Sequence, residues 1–151
     1  MKRTIVALIV AIAALGAFSC AKPPVAEMQA ANAAVARVEA DADAQHDARR
    51  ALHDLPWVRL HRAEVAPWLR TAPGRPDGVV LDPPRAGAGA VVVDEISERA
   101  VERVVYVACD PAALARDVAL FRARGYRLAA VEGYDAFPMT HHLESVALLT
   151  R

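Results

Sequence analysis

Cysteine and net charge are both scarce in this 151-residue chain, and each scarcity excludes a class of protein. Only two cysteines occur, Cys20 and Cys109. They cannot build a disulfide framework, and they are too few for an iron–sulfur cluster or a cysteine-rich zinc site. The 18 basic and 18 acidic residues give a formal net charge of zero, so the chain lacks the basic footprint that many nucleic-acid binders carry. The length accommodates one modest domain and a leader.

The first residues have the pattern of a leader. Lys2-Arg3 precede an uncharged, largely apolar run from Thr4 to Ala21. A basic start, a short apolar stretch and small residues predict a secretory signal over residues 1–20. Ser19-Cys20-Ala21 is similar to the cleavage site of a bacterial lipoprotein, in which the cysteine is lipidated. A membrane anchor over residues 1–21 and a wrongly joined or wrongly started reading frame are the alternatives.

The composition changes in the middle of the chain. Residues 21–46 are rich in alanine, which favours a helix or a solvated linker. Both tryptophans lie beyond residue 50, and every basic residue from Pro23 onward is an arginine. We therefore predict a division near residue 46, with residues 47–151 as one domain.

Residues 47–151 alternate between short apolar runs and helical patterns. Alternating strands and helices predict an α/β fold with a doubly wound, Rossmann-like sheet, preceded here by an apolar and alanine-rich helical leader. Ligands bind such sheets at the carboxyl ends of the strands. The expected helices cover 47–55, 91–100 and 112–124, and the expected strands cover 57–64, 78–81, 104–108, 127–131 and 145–149.

Cys109 lies between an expected strand and an expected helix. Asp110 is suited to cap that helix, and Pro111 is suited to its first turn. The helix dipole at this point favours a thiolate, which is a competent nucleophile. An inert buried cysteine at a strand end is the alternative.

Asp82 ends an apolar run and is followed by two prolines. Because proline cannot donate a ladder hydrogen bond, the chain must leave the sheet there, and the carboxylate is well placed to face a ligand. A turn cap is the alternative. Arg85, which follows, is suited either to pair with a phosphate or to lie solvated on the surface.

Glu144 follows a polar stretch and precedes the last apolar run. Its carboxylate is a candidate general base. The neighbouring His141-His142 pair suggests a metal, but no third ligand is spaced to join it, so we expect no metal site.

Three stretches, Asp82-Pro83-Pro84-Arg85-Ala86-Gly87, Tyr106-Val107-Ala108-Cys109-Asp110-Pro111 and Phe137-Pro138-Met139-Thr140-His141-His142-Leu143-Glu144, occur in this order. In order and spacing they resemble the signature blocks of the RNA (uracil-C5)-methyltransferase family, which makes 5-methyluridine in tRNA and ribosomal RNA. The resemblance covers residues 47–151, the second half of that family's catalytic domain. It is strongest toward members from high-GC actinobacteria.

The resemblance implies a role for three residues. Cys109 matches the nucleophile that adds to C6 of the target uracil. Glu144 matches the base that removes the C5 proton, and Asp82 matches the aspartate at the cofactor and substrate pocket. S-adenosylmethionine is the implied cofactor, and RNA (tRNA or rRNA) is the implied partner.

The resemblance does not extend to residues 1–46. The family's first strand and its glycine-rich cofactor loop belong there, but Gly16 is the only glycine in that segment. We therefore expect a truncated or fused catalytic domain that lacks half of its cofactor site. We also expect the strand at 57–64 to have no neighbour.

Two other interpretations remain open. The chain is alternatively a non-catalytic envelope lipoprotein that carries a passenger methyltransferase fragment. The cellular compartment distinguishes the methyltransferase from the lipoprotein, because RNA and S-adenosylmethionine are cytoplasmic whereas a lipidated Cys20 belongs to the cell envelope. The Asp-Pro-Pro-Arg string also suits a methyltransferase acting on an amino group of adenine or guanine, but that interpretation leaves Cys109 and Glu144 unexplained.

Overall fold

The computed structural model of the chain describes residues 7–10, 35–55, 58–136, 139–140 and 142–151. In chain order their elements are β1 (Ala7–Val10), β2 (Val35–Glu39), α1 (Ala42–Ala51), β3 (Val58–Arg62), α2 (Val65–Thr71), β4 (Gly78–Asp82), α3 (Gly89–Glu98), β5 (Arg103–Ala108), α4 (Pro111–Ala123), β6 (Arg127–Tyr134) and β7 (Glu144–Thr150). Strands and helices alternate over most of this length, as the sequence predicts.

The strands form one mixed, seven-stranded sheet in the order β3-β2-β1-β4-β5-β7-β6. The pairs β2–β3 and β4–β5 are parallel, and β7 runs antiparallel to both β5 and β6. β1 is antiparallel to both of its neighbours, so its first residue, Ala7, lies beside Asp82 at the carboxyl end of β4. The α/β, Rossmann-like fold expected from the sequence is confirmed.

The expectation that β3 has no neighbour is wrong. β2 pairs with β3 in parallel from Val35↔Val58 to Glu39↔Arg62, and β1 fills the place between β2 and β4. Val35–Glu39 is therefore a strand, although alanine-rich surroundings favour a helix. Pairing on both sides outweighs local propensity, and Val35 and Val38 suit a pleated surface.

The first helix begins earlier than the expected residue 47. α1 starts at Ala42 because Oδ1 of Asp41 accepts hydrogen bonds from the amides of Asp43, at 2.9 Å, and Ala44, at 3.0 Å. These bonds satisfy amides that have no partner within the helix. The domain division near residue 46 stays a prediction.

Every second side chain of the central strands is buried on one face of the sheet. Leu81, Tyr106 and Ala147 lie side by side there, because Leu81 pairs with Tyr106 and Tyr106 pairs with Ala147. Side chains of α3 and α4 belong to the same core, among them Ile96 and Phe121. Each such apolar side chain contributes roughly 1.5–3 kcal/mol of transfer free energy when buried.

The predicted leader lies mostly outside the described residues. Its proposed cleavage site, Ser19-Cys20-Ala21, lies outside the described residues. Ala7–Val10 is the strand β1. Within the described ranges, no helix has both the length and the apolar character needed to cross a membrane.

Candidate functional site

Cys109 lies directly after β5, at the carboxyl edge of the sheet. The strand is a buried apolar run that ends at Ala108, and Cys109 is the next residue, half-buried and with a free thiol. α4 begins directly afterwards. Oδ1 of Asp110 accepts from the amide of Ala113 at 2.8 Å, and Pro111 occupies the first turn. The thiol therefore lies just before the start of a 13-residue helix.

Cys109 and Glu144 each lie one residue beyond the last pair between β5 and β7. These strands pair from Arg103↔Thr150 to Ala108↔Ser145. Cys109 follows Ala108 in the chain, and Glu144 precedes Ser145. The candidate nucleophile and the candidate base are therefore brought to the same edge of the sheet, although 34 residues separate them in the chain.

Asp82 ends β4 on the other side of β5. Since Leu81 pairs with Tyr106 on the buried face, Asp82 belongs to the opposite face, together with Glu144. Desolvation by the surrounding protein and, second, repulsion from the Glu144 carboxylate raise the pKa of Asp82. The two carboxylates are thus close enough to sense each other, with the end of β5 between them.

Arg85 connects the first and third stretches. Its Nη2 donates to Nδ1 of His142 at 2.9 Å, and the amide of His142 donates to Oγ1 of Thr140 at 3.2 Å. His142 lies two residues before Glu144, so the Asp-Pro-Pro-Arg loop contacts the approach to the candidate base. Phe137 and Pro138, which begin the third stretch, lie outside the described part of the chain.

The histidine pair is described only in part. Within the described ranges, no three His, Cys, Asp or Glu side chains are grouped so that they could hold a metal ion. His141 lies outside those ranges.

Sequence reasoning missed a buried polar cluster beneath the Asp82–Gly87 loop. Asp117 on α4 is only 3% exposed, and its Oδ2 accepts from the hydroxyl of Tyr106 at 2.5 Å. The same oxygen accepts from the amides of Ala88, at 2.6 Å, and Gly89, at 3.3 Å. Burial and the hydrogen bond to Asp117 raise the pKa of Tyr106, which stays protonated and donates. An aspartate among the otherwise apolar buried residues of the helix was the available signal.

The arrangement suits covalent attack on a flat ring, followed by proton removal. The Cys109 thiol, directly after β5, is a candidate nucleophile, and the Glu144 carboxylate, at the start of β7, is a candidate base. A second carboxylate, Asp82, can accept hydrogen bonds from that molecule or from a cofactor.

Comparison with known proteins identifies the family. The family model of tRNA (uracil-5-)-methyltransferases matches residues 13–151, so the match begins well before residue 47. An RNA methyltransferase of Streptomyces avermitilis is 45% identical over 117 residues, which cover 77% of this chain and 27% of that protein. One of Corynebacterium glutamicum is 40% identical over 119 residues, covering 79% of this chain and 28% of that protein.

Solved structures agree with these relatives. The tRNA (uracil-54, C5)-methyltransferase of Pyrococcus abyssi, solved in complex with S-adenosyl-L-homocysteine, superposes with a TM-score of 0.64 at 30% identity. The match covers 75% of this chain and 28% of that one. A precorrin-6y C5,15-methyltransferase of Geobacter metallireducens shares the fold, with a TM-score of 0.59 at 17% identity, over 76% of this chain and 66% of its own.

The chain spans about a quarter or less of the length of the curated relatives it matches, and between 26% and 28% for those from Streptomyces and Corynebacterium glutamicum. The family match itself extends over nearly all of this chain, and the site residues fall inside it. The chain belongs to the tRNA (uracil-5-)-methyltransferase family.

Proposed function

We propose that this chain methylates C5 of a uridine in tRNA or rRNA, with S-adenosylmethionine as methyl donor. Cys109 is the nucleophile, Glu144 is the base, and Asp82 lines the cofactor and substrate pocket. The observation that supports the proposal is the pairing of β5 and β7, which ends at Ala108↔Ser145 beside Cys109 and Glu144 and lies inside a match to this family.

The chemistry explains why both groups are needed. Uracil C5 is a weak nucleophile, so the thiolate of Cys109 first forms a bond to C6 and pushes the electrons of the 5,6 double bond into an enolate. S-adenosylmethionine, when bound, supplies the methyl group that C5 then accepts. Glu144 removes the remaining C5 proton, the double bond re-forms, and the Cys109 sulfur leaves. Without the base, the methylated adduct cannot collapse.

The carboxyl edge of the sheet offers acceptors for the cofactor. S-adenosylmethionine carries ribose hydroxyls and amino groups, all of which donate hydrogen bonds to carboxylates. Asp82 ends β4 at the carboxyl edge of the parallel pair β4–β5, where ligands bind such sheets. Its carboxylate therefore fits the polar parts of the cofactor.

The test separates the two roles by trapping the covalent adduct. The full chain is incubated with a uridine-containing RNA and S-adenosylmethionine, denatured, and examined by mass spectrometry of the peptide that contains Cys109. We expect Glu144→Gln to accumulate a methylated uracil adduct on Cys109, because addition and methyl transfer proceed but proton removal does not.

Cys109→Ser and the double variant Cys109→Ser, Glu144→Gln are the matched controls, and neither forms the adduct. The proposal is overturned when Glu144→Gln gives no adduct while its fold is intact, or when the adduct maps to a residue other than Cys109.

A further inference from the structure

We propose that Asp117 and Tyr106 are positioning residues for the Asp82–Gly87 loop. They fix the end of this loop under the carboxyl edge of β5, and so hold Arg85 against the third stretch. The inference rests on the proposed function, in which this loop borders the target base, but its structural part is tested without any reaction.

A single buried carboxylate oxygen joins three elements. Oδ2 of Asp117 on α4 accepts from the hydroxyl of Tyr106 on β5 and from the amides of Ala88 and Gly89, which directly follow the loop. Hydrogen bonds to an ionised acceptor are the stronger kind, and a buried carboxylate is costly unless it has such partners. These hydrogen bonds therefore hold Ala88 and Gly89, at the end of the loop, in one position.

The loop end also fits closely against this carboxylate. Gly87 has a φ of +87°, and a Cβ placed on it would lie 2.6 Å from Oδ2 of Asp117. Only glycine adopts this backbone and leaves this space without strain. Nη2 of Arg116 donates to the carbonyl of Ala86 at 3.3 Å, which is a second connection from α4 to the loop.

Fixing both ends of the loop determines where Arg85 lies. Asp82 is held by the β4 ladder, and Gly87 is held at the Asp117 cluster, so only four residues lie between them. Two of these are prolines, whose φ angles are restricted. Arg85 is thereby directed to His142, which lies two residues before Glu144. Asp117 and Tyr106 act through this loop and do not touch the reacting atoms.

The experiment removes one hydroxyl at the cluster and one elsewhere. Tyr106→Phe deletes the hydrogen bond to Asp117. Tyr126→Phe is the matched control, because Tyr126 is also buried and its hydroxyl donates to the carbonyl of Val101 at 2.7 Å, outside the cluster. The first readout is hydrogen exchange of the Gly87 amide, which donates to the carbonyl of Pro84 and not to Asp117.

Two further readouts separate loop position from loss of the thiol. One is the rate at which the uracil adduct forms on Cys109, and the other is the rate at which iodoacetamide alkylates Cys109. We expect Tyr106→Phe to speed Gly87 exchange at least tenfold and to slow adduct formation several-fold, with alkylation unchanged within twofold. Tyr126→Phe, at a similar loss of global stability, leaves all three rates near those of the unmodified chain.

A conservative variant provides the rescue. The side-chain carbonyl of Asp117→Asn still accepts hydrogen bonds. We therefore expect the Gly87 amide to exchange more slowly in Asp117→Asn than in Asp117→Ala. If Tyr106→Phe does not fold, the comparison of these two Asp117 variants takes its place. Equal Gly87 exchange in Tyr106→Phe and Tyr126→Phe overturns the inference, as does a parallel loss of alkylation. When the unmodified chain forms no adduct, the proposed function fails, and Gly87 exchange alone decides the positioning role.

Discussion

At the scale of single residues, the hydrogen bond from Arg85 to His142 joins the first and third sequence stretches, and the electrostatics of Asp82 agree with it. Its pKa is raised by desolvation and then by the Glu144 carboxylate. The folded protein therefore holds a proton on Asp82 over a pH range in which the unfolded chain has already lost it. In that range the free energy of unfolding falls as the pH rises. Above the raised pKa of Asp82, the folded protein carries the full energetic cost of holding this carboxylate ionised.

Two substitutions test this coupling. We expect Glu144→Gln to lower the pKa of Asp82 toward its ordinary value of 3.8, as followed by carboxyl NMR. Asp82→Asn should raise the free energy of unfolding at neutral pH, and this gain should vanish below the ordinary pKa, where both forms are uncharged. A pKa of Asp82 that does not respond to Glu144→Gln would show that the two carboxylates are apart.

Gly87 and Gly74 form a matched pair for testing the space above Asp117. Both have positive φ, but a Cβ on Gly74 meets nothing within 4 Å. Gly74→Ala should cost about 1–2 kcal/mol for the left-handed backbone alone. Gly87→Ala should cost about 1–3 kcal/mol more because its Cβ overlaps the buried carboxylate. Urea unfolding of both variants measures the difference, and equal costs would contradict the close approach.

At the scale of elements, the pairing of β5 with β7 creates the candidate site. In a Cys20→Ser background, Glu144→Cys should form a disulfide with Cys109 under mild oxidation. Residues opposite each other in an antiparallel pair have Cα atoms about 4.5–5.5 Å apart, which is within the range of a disulfide. Val146→Cys, whose partner is Val107, is the control and should not cross-link. Cross-linking from Val146→Cys instead would mean that the register is shifted.

The elements also show which features were predictable. The ends of β4, β5, β7 and α4 were predicted to within one residue, because short apolar runs and Pro111 are local signals. β1 and β2 were missed because tertiary pairing decides their structure: one lies in an apolar leader pattern and the other among alanines. The residues of the site followed from motif order, but Tyr106 and Asp117 did not, since only packing brings them together.

At the scale of the whole molecule, the sheet joins residues on both sides of the predicted division near residue 46. β1 and β2 separate β3 from β4 and pair with both. A fragment of residues 47–151 would therefore expose the edges of β3 and β4, and unpaired edges promote association. We expect this fragment to lose cooperative urea unfolding or to aggregate, relative to the full chain. A monomeric fragment of undiminished stability would show that residues 47–151 form an independent domain.

The proposed function makes the modified atom of the RNA the most direct observable. The full chain is incubated with tRNA or rRNA and S-adenosylmethionine, and the nucleosides are then analysed by mass spectrometry. We predict 5-methyluridine as the product, and none with the Cys109→Ser variant. Methyl groups on an amino group of adenine or guanine, or 5-methyluridine formed undiminished by Cys109→Ser, would contradict the account.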